Sequence, residues 1–140
     1  KISDFLSRRV ELEDGVRAHL LAAEKASVIG FGIYIISATT PFRTGHLAAL
    51  RSNTPSVVQQ LMAVYSAEYE KRGWKMHPGI DRVYVNDKAR KDLGWQPKYD
   101  FRHIISLLQA GQDWRSPLTQ QVGSKGYHAE TFTEGPYPVH

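Results

Sequence analysis

Apolar positions along this chain change period several times, and each change predicts an element. In residues 8–12 Val10 and Leu12 alternate with charged neighbours, the period-two pattern of a short, half-buried strand. Glu13 and Asp14 then place negative charge at the start of a helix that runs to about Ala26, with Leu12, Val16, Leu20 and Ala23 on one face and His19 beside them. Residues 27–30 turn the chain, and 31–37 (FGIYIIS) form a continuous apolar, β-branched run. Its length and bounding glycines predict a strand covered on both faces. A polar turn, Ala38 to Pro41, follows it.

The middle is less regular. A short helix is expected around residues 47–50, and Thr54-Pro55 make an N-cap and first-turn pair. Val58, Leu61, Met62, Tyr65 and Tyr69 recur at helical spacing to about Arg72, as one helix or as two with a break near Tyr65, and Gly73 ends the run. Residues 74–80 (WKMHPGI) read as loop, and Val83-Tyr84-Val85 as extended chain. Asn86 is placed to cap a helix over 87–93, with Gly94 as a left-handed C-terminal cap and Pro97 blocking its restart. That helix has a basic outer face, with Leu93 and Trp95 turned inward. Asp100 caps a last amphipathic helix with Phe101, Ile104, Ile105 and Leu108 on its apolar face, closed by Gly111. From 113 to 140 periodicity vanishes, so the reading is one domain over 1–112 and an extended tail over 113–140.

Composition narrows the class. The chain has 140 residues, 41% hydrophobic and 23% charged, which suits one ordinary globular domain. No run approaches the roughly 20 apolar residues of a membrane helix, so no membrane partner is expected. The absence of cysteine excludes disulfides and thiolate metal sites and makes a cytoplasmic setting the default. Six scattered histidines lack metal-ligand spacing, so no metal is expected. A net charge of +4 fits solvated helix faces or receipt of a diphosphate better than a nucleic-acid stripe. The chain opens at Lys1 without an initiator methionine, which reads as a fragment or a processed product.

Two segments carry a resemblance. Asn86, Lys88, Ala89, Leu93, Gly94, Trp95 and Pro97 match a late motif of the extended short-chain dehydrogenase/reductases, the NAD-dependent epimerase/dehydratase family that works on nucleotide sugars. Upstream, Asp14, Val16 and Ala18 fit that family's strand-to-helix segment, and Gly32, Tyr34 and Ile36 its following strand. The resemblance covers about residues 8–108, with gaps around 44–77. It implies an α/β fold: the helix-rich C-terminal substrate-binding portion of such an enzyme, with a small sheet and without the Rossmann cofactor domain.

Candidate chemistry follows from what is present and what is missing. A dinucleotide site needs a glycine-rich turn between a strand and a helix, whereas Gly30-Phe31-Gly32 precedes the expected strand. Tyr84 and Lys88 match a Tyr-x-x-x-Lys spacing, but one lies in an extended run and the other beyond a helix cap, so they would not share a helical face. No catalytic or cofactor-binding residue is therefore assigned. By resemblance, NAD and the hydride machinery belong to an N-terminal Rossmann domain of the full-length parent, outside this segment.

What remains is binding of a nucleotide-sugar substrate. Arginine forks and lysine ammoniums suit its diphosphate. The positions implied are Arg8 or Arg9 before the first helix, and Lys75 or Arg82, with Arg72 also in range, ahead of the late motif. Phe42, Tyr65 and Trp74 could stack a base or pack in the core. Glu11, Glu13 and Asp14 read as structural acids. Gly123 to Gly126 reads as a flexible loop or a small anion nest. The resemblance thus implies a substrate-side domain inactive by itself, with a homo-oligomer possible through an uncovered apolar face. Alternatives are a non-catalytic nucleotide- or partner-binding member of the same family and a free-standing basic interaction domain.

Overall fold

Glu11 starts the longest helix. Its backbone is extended and its carboxylate accepts from Glu13 N at 2.7 Å, closing the free N-terminus of α1 (Leu12–Ile29). The computed structural model describes residues 2–123, and every regular element within them is helical. A 3₁₀ turn at Ile2–Leu6 precedes α1, and a second at Thr44–His46 leads into α2 (Leu47–Leu61). Then come α3 (Val64–Lys71), α4 (Asp87–Leu93), α5 (Phe101–Gln109) and α6 (Pro117–Val122).

The expected α/β fold with a small sheet is therefore corrected: among the described residues there is no strand. The physical reason lies in the hydrogen bonds. A sheet needs a repeating ladder between neighbours. The stretches around residues 7–9, 37–40 and 84–86 do lie together, but by single links. Ala38 N donates to Arg9 O and Tyr84 N to Ser7 O, each at 2.7 Å, and Asn86 Nδ2 donates to Ser37 O at 2.8 Å. Residues 31–36 make no backbone–backbone hydrogen bond with any described residue. Their exposure still alternates with a period of two, as in an extended chain: Phe31 and Ile33 are 85% and 77% exposed, while Tyr34 and Ile36 turn inward. The run expected to be covered on both faces is covered on one. The strand expected over residues 8–12 does not form: α1 already begins at Leu12, and residues 8–11 are joined to residues 37–40 by the single link from Ala38 N to Arg9 O.

Helices differ from expectation in smaller ways. Leu12, Val16 and Leu20 point outward on α1, whose buried positions are Asp14 and Ala18. Small side chains allow close approach, and that side of α1 packs on Ala89, Leu93 and Trp95. In α2, Asn53 leaves helical geometry (φ −152°, ψ 63°) and its side chain accepts from Ser56 N, so Asn53 and not Thr54 caps the second half. The chain breaks again at Met62, three residues earlier than the alternative read from the sequence. Residues 113–123, expected as extended tail, include α6, capped by Ser116. The rest of that tail lies outside the described residues.

The core has two parts. The larger packs Phe5 and Leu6 of the first turn against Leu50, Val58, Tyr65, Tyr69 and the face of α5 formed by Phe101, Ile104, Ile105 and Leu108. The smaller joins α1 to α4 through Trp95. Asp100 caps α5 by accepting from His103 N at 2.9 Å, and Gly94 ends α4 at φ +67°, a conformation that favours glycine.

Candidate binding cleft

The loop after α3 and the first 3₁₀ turn build two neighbouring concavities. The larger, of about 540 Å³, is lined by Ser3, Tyr69, Trp74, Lys75 and Trp114 among others. The smaller, of about 80 Å³, is lined by Asp4, Arg8, His77, Asp81 and Arg82 among others. Gly73 at φ +66° turns the chain off α3, and Trp74 N donates back to Tyr69 O, so Trp74 and Lys75 leave the helix at a fixed place.

The four sequence-predicted cations divide between these places. Lys75 is exposed at the wall of the larger cleft. Arg9 lies near it, its guanidinium 5.4 Å from the Phe5 ring centre and 5.9 Å from that of Trp114. Arg8 and Arg82 border the smaller depression. There Asp4 sits 3.3 Å from both the Arg8 guanidinium and His77 Nε2. Burial pushes the Asp4 carboxyl up, but the Arg8 hydrogen bond and the surrounding positive charges outweigh it and hold it below the usual range. With Asp4 and Asp81 present, the positive potential of the depression is partly cancelled.

Arg72 has a structural task. It pairs with Glu68, donates to Leu108 O at 3.1 Å, and lies 5.6 Å from the Trp74 ring centre. Tyr84 and Lys88 make no pair: Lys88 bonds Asp92 at 2.8 Å and sits 3.9 Å above the Tyr34 ring, while Tyr84 N is tied to Ser7. Of the three aromatics weighed for stacking, Tyr65 and Phe42 are buried in the core and Trp74 is 41% exposed in the cleft.

The larger cleft has polar chemistry at its base. Ser3 Oγ and Tyr69 Oη are 2.8 Å apart, both on buried residues. Burial pushes the Tyr69 hydroxyl up, so it stays protonated and available as a donor. The sequence reading missed Ser3, Tyr69 and Trp114 as cleft residues. Tyr69 was legible only as a helical core position, and Trp114 fell in a stretch without periodicity.

No family model, curated protein or solved structure matches the chain. Among the described residues no three His, Asp or Glu side chains gather as metal ligands, and no helix is long and apolar enough to cross a membrane.

Proposed function

We propose that this chain is the substrate-side portion of an NAD-dependent nucleotide-sugar epimerase/dehydratase. It binds the sugar nucleotide while a separate Rossmann domain carries NAD and performs hydride transfer. One observation carries the reading: the two segments with family-like motifs, far apart in sequence, are docked on each other through Asp14. Its carboxylate accepts from Lys98 N and Tyr99 N at 2.8–2.9 Å, and its carbonyl accepts from Trp95 Nε1 at 2.9 Å. The motif residues thus act as one structural unit, as members of one domain should.

The unpaired run of residues 31–36 supports the same reading. A free backbone edge beside exposed Phe31, Ile33 and Ile35 suits coverage by another body, and a companion domain provides one. The cysteine-free composition fits a cytoplasmic setting.

Thermal shift with UDP- and dTDP-sugars tests the proposal. A ligand at about 100 times its Kd adds about 2.7 kcal/mol to stability, so saturating nucleotide sugar should raise Tm by several degrees. The rise should shrink in Arg9→Ala and in Arg82→Ala. A Tm indifferent to every nucleotide sugar removes the reading.

A further inference from the structure

We infer that the cleft lined by Trp74 and Trp114 is a nucleotide-base site, with Lys75 at its mouth to meet the first phosphate. The inference rests on the nucleotide-sugar proposal for the identity of its ligand and adds where the base lies.

The cleft's size and shape point to that occupant first. Its volume of about 540 Å³ falls within the usual range for small-molecule sites, about 300–1,000 Å³. Two indoles offer flat apolar faces, and every base has a face to stack on them. Trp74 leaves 41% of its surface open although its neighbour Tyr69, 5.7 Å away and edge-on, is buried.

Charge decides the rest. Among the described residues that line it, Lys75 is the charged one, and none of them is a carboxylate. Behind the indoles stand Arg72 at Trp74, its charge matched by Glu68, and Arg9 at Trp114, which adds positive potential. Glu68 pairs with Arg72 and Asp113 with Arg115, so neither carboxylate opposes Lys75. An apolar slot under a net positive rim fits a planar ring that carries an anion.

The Ser3–Tyr69 pair gives the base a polar contact. One hydroxyl donates to the other, so the second keeps its own O–H to donate. A ring carbonyl of the kind found in uracil would accept it. The base thus gains orientation from the hydroxyls, area from the indoles and charge complementarity from Lys75.

Intrinsic fluorescence reads this directly. Of the three tryptophans, Trp95 is fully buried and bonded to Asp14 O, so quenching by a stacked base must come from Trp74 or Trp114. The whole chain is titrated with UDP, uridine and pyrophosphate, and affinities are measured in parallel by calorimetry. UDP and uridine should quench, and pyrophosphate should not. Trp74→Leu should weaken UDP by about tenfold or more, and Lys75→Ala should weaken UDP but leave uridine unchanged. Because Trp114 also packs on Phe5, circular dichroism of Trp114→Leu accompanies its titration. Unchanged UDP affinity in Trp74→Leu and a folded Trp114→Leu overturns the base site. If nucleotide sugars still raise Tm in those variants, the proposed function survives that failure. If no nucleotide binds the wild type, both fall together.

Discussion

Asp14 ties two distant segments together, although its 1% exposure hides it in the middle of an acidic sequence run. A buried carboxylate is costly to leave unpaired. Here it takes backbone N–H groups of Lys98 and Tyr99, while its own carbonyl orders the Trp95 indole. Hydrogen bonds to a charged acceptor contribute about 1.5–3 kcal/mol each. Asp14→Ala should therefore lose about 3 kcal/mol or more in urea unfolding, because it leaves two amides unsatisfied. Asp14→Asn keeps one acceptor oxygen and should lose about half as much. An Asp14→Ala protein as stable as wild type would mean that this junction does not hold the two segments together. Read from sequence alone, Asp14 was a structural acid at a helix start. Its partners 84 and 85 residues away leave no local signal.

Among the elements, α6 has the weakest intrinsic case and the clearest pH signature. Six residues do not sustain a helix in water, so its docking must supply the stability. Glu11 provides it, accepting from Ser116 N at 3.2 Å and from the Thr119 hydroxyl. Burial pushes the Glu11 carboxyl up, but the hydrogen bonds from Thr119, Glu13 and Ser116 outweigh it and the net direction is down from 4.5. A depressed carboxyl contributes stability above its unfolded value and loses it as pH falls through the folded one. Stability should therefore decline below about pH 4.5, and Glu11→Gln should flatten that acid limb in denaturant melts taken across pH. An acid limb unchanged by Glu11→Gln would detach α6 from Glu11. Elements with local signals were the legible ones. The cap at Asp100, the left-handed Gly94 and the inward Leu93 and Trp95 all stand where the pattern put them. The buried side of α1 was not legible, because a stripe of Leu12, Val16 and Leu20 looks like a core face until Ala18 and Ala22 are seen to admit α4. Period-two alternation in residues 31–37 revealed extended chain but could not reveal whether a neighbouring strand was present to pair with it. Likewise Lys75 could be nominated by position, while the cleft it borders needed Ser3 and Trp114 to arrive from opposite ends of the described chain.

At the scale of the whole molecule, the two cores leave one side open. Val28, Phe31 and Ile33 are each more than three-quarters exposed, next to a backbone run with no partner among the described residues. Between Ala26 and Phe42 the sequence carries no charge at all, so nothing repels an incoming apolar surface. An isolated chain should accordingly bind a hydrophobic dye and self-associate as its concentration rises. Ile33→Lys tests this without touching either core, since the side chain already lies in solvent. The substitution should leave Tm within the shift expected of about 0.5 kcal/mol, as for other surface changes, while cutting dye fluorescence and returning the sedimentation profile to monomer. The same charge should also weaken binding to a companion Rossmann domain supplied in trans, because it would sit where that domain is proposed to cover the edge. Dye binding and self-association untouched by Ile33→Lys would place the sticky surface elsewhere, with the outward stripe of Leu12, Val16 and Leu20 on α1 the next to substitute.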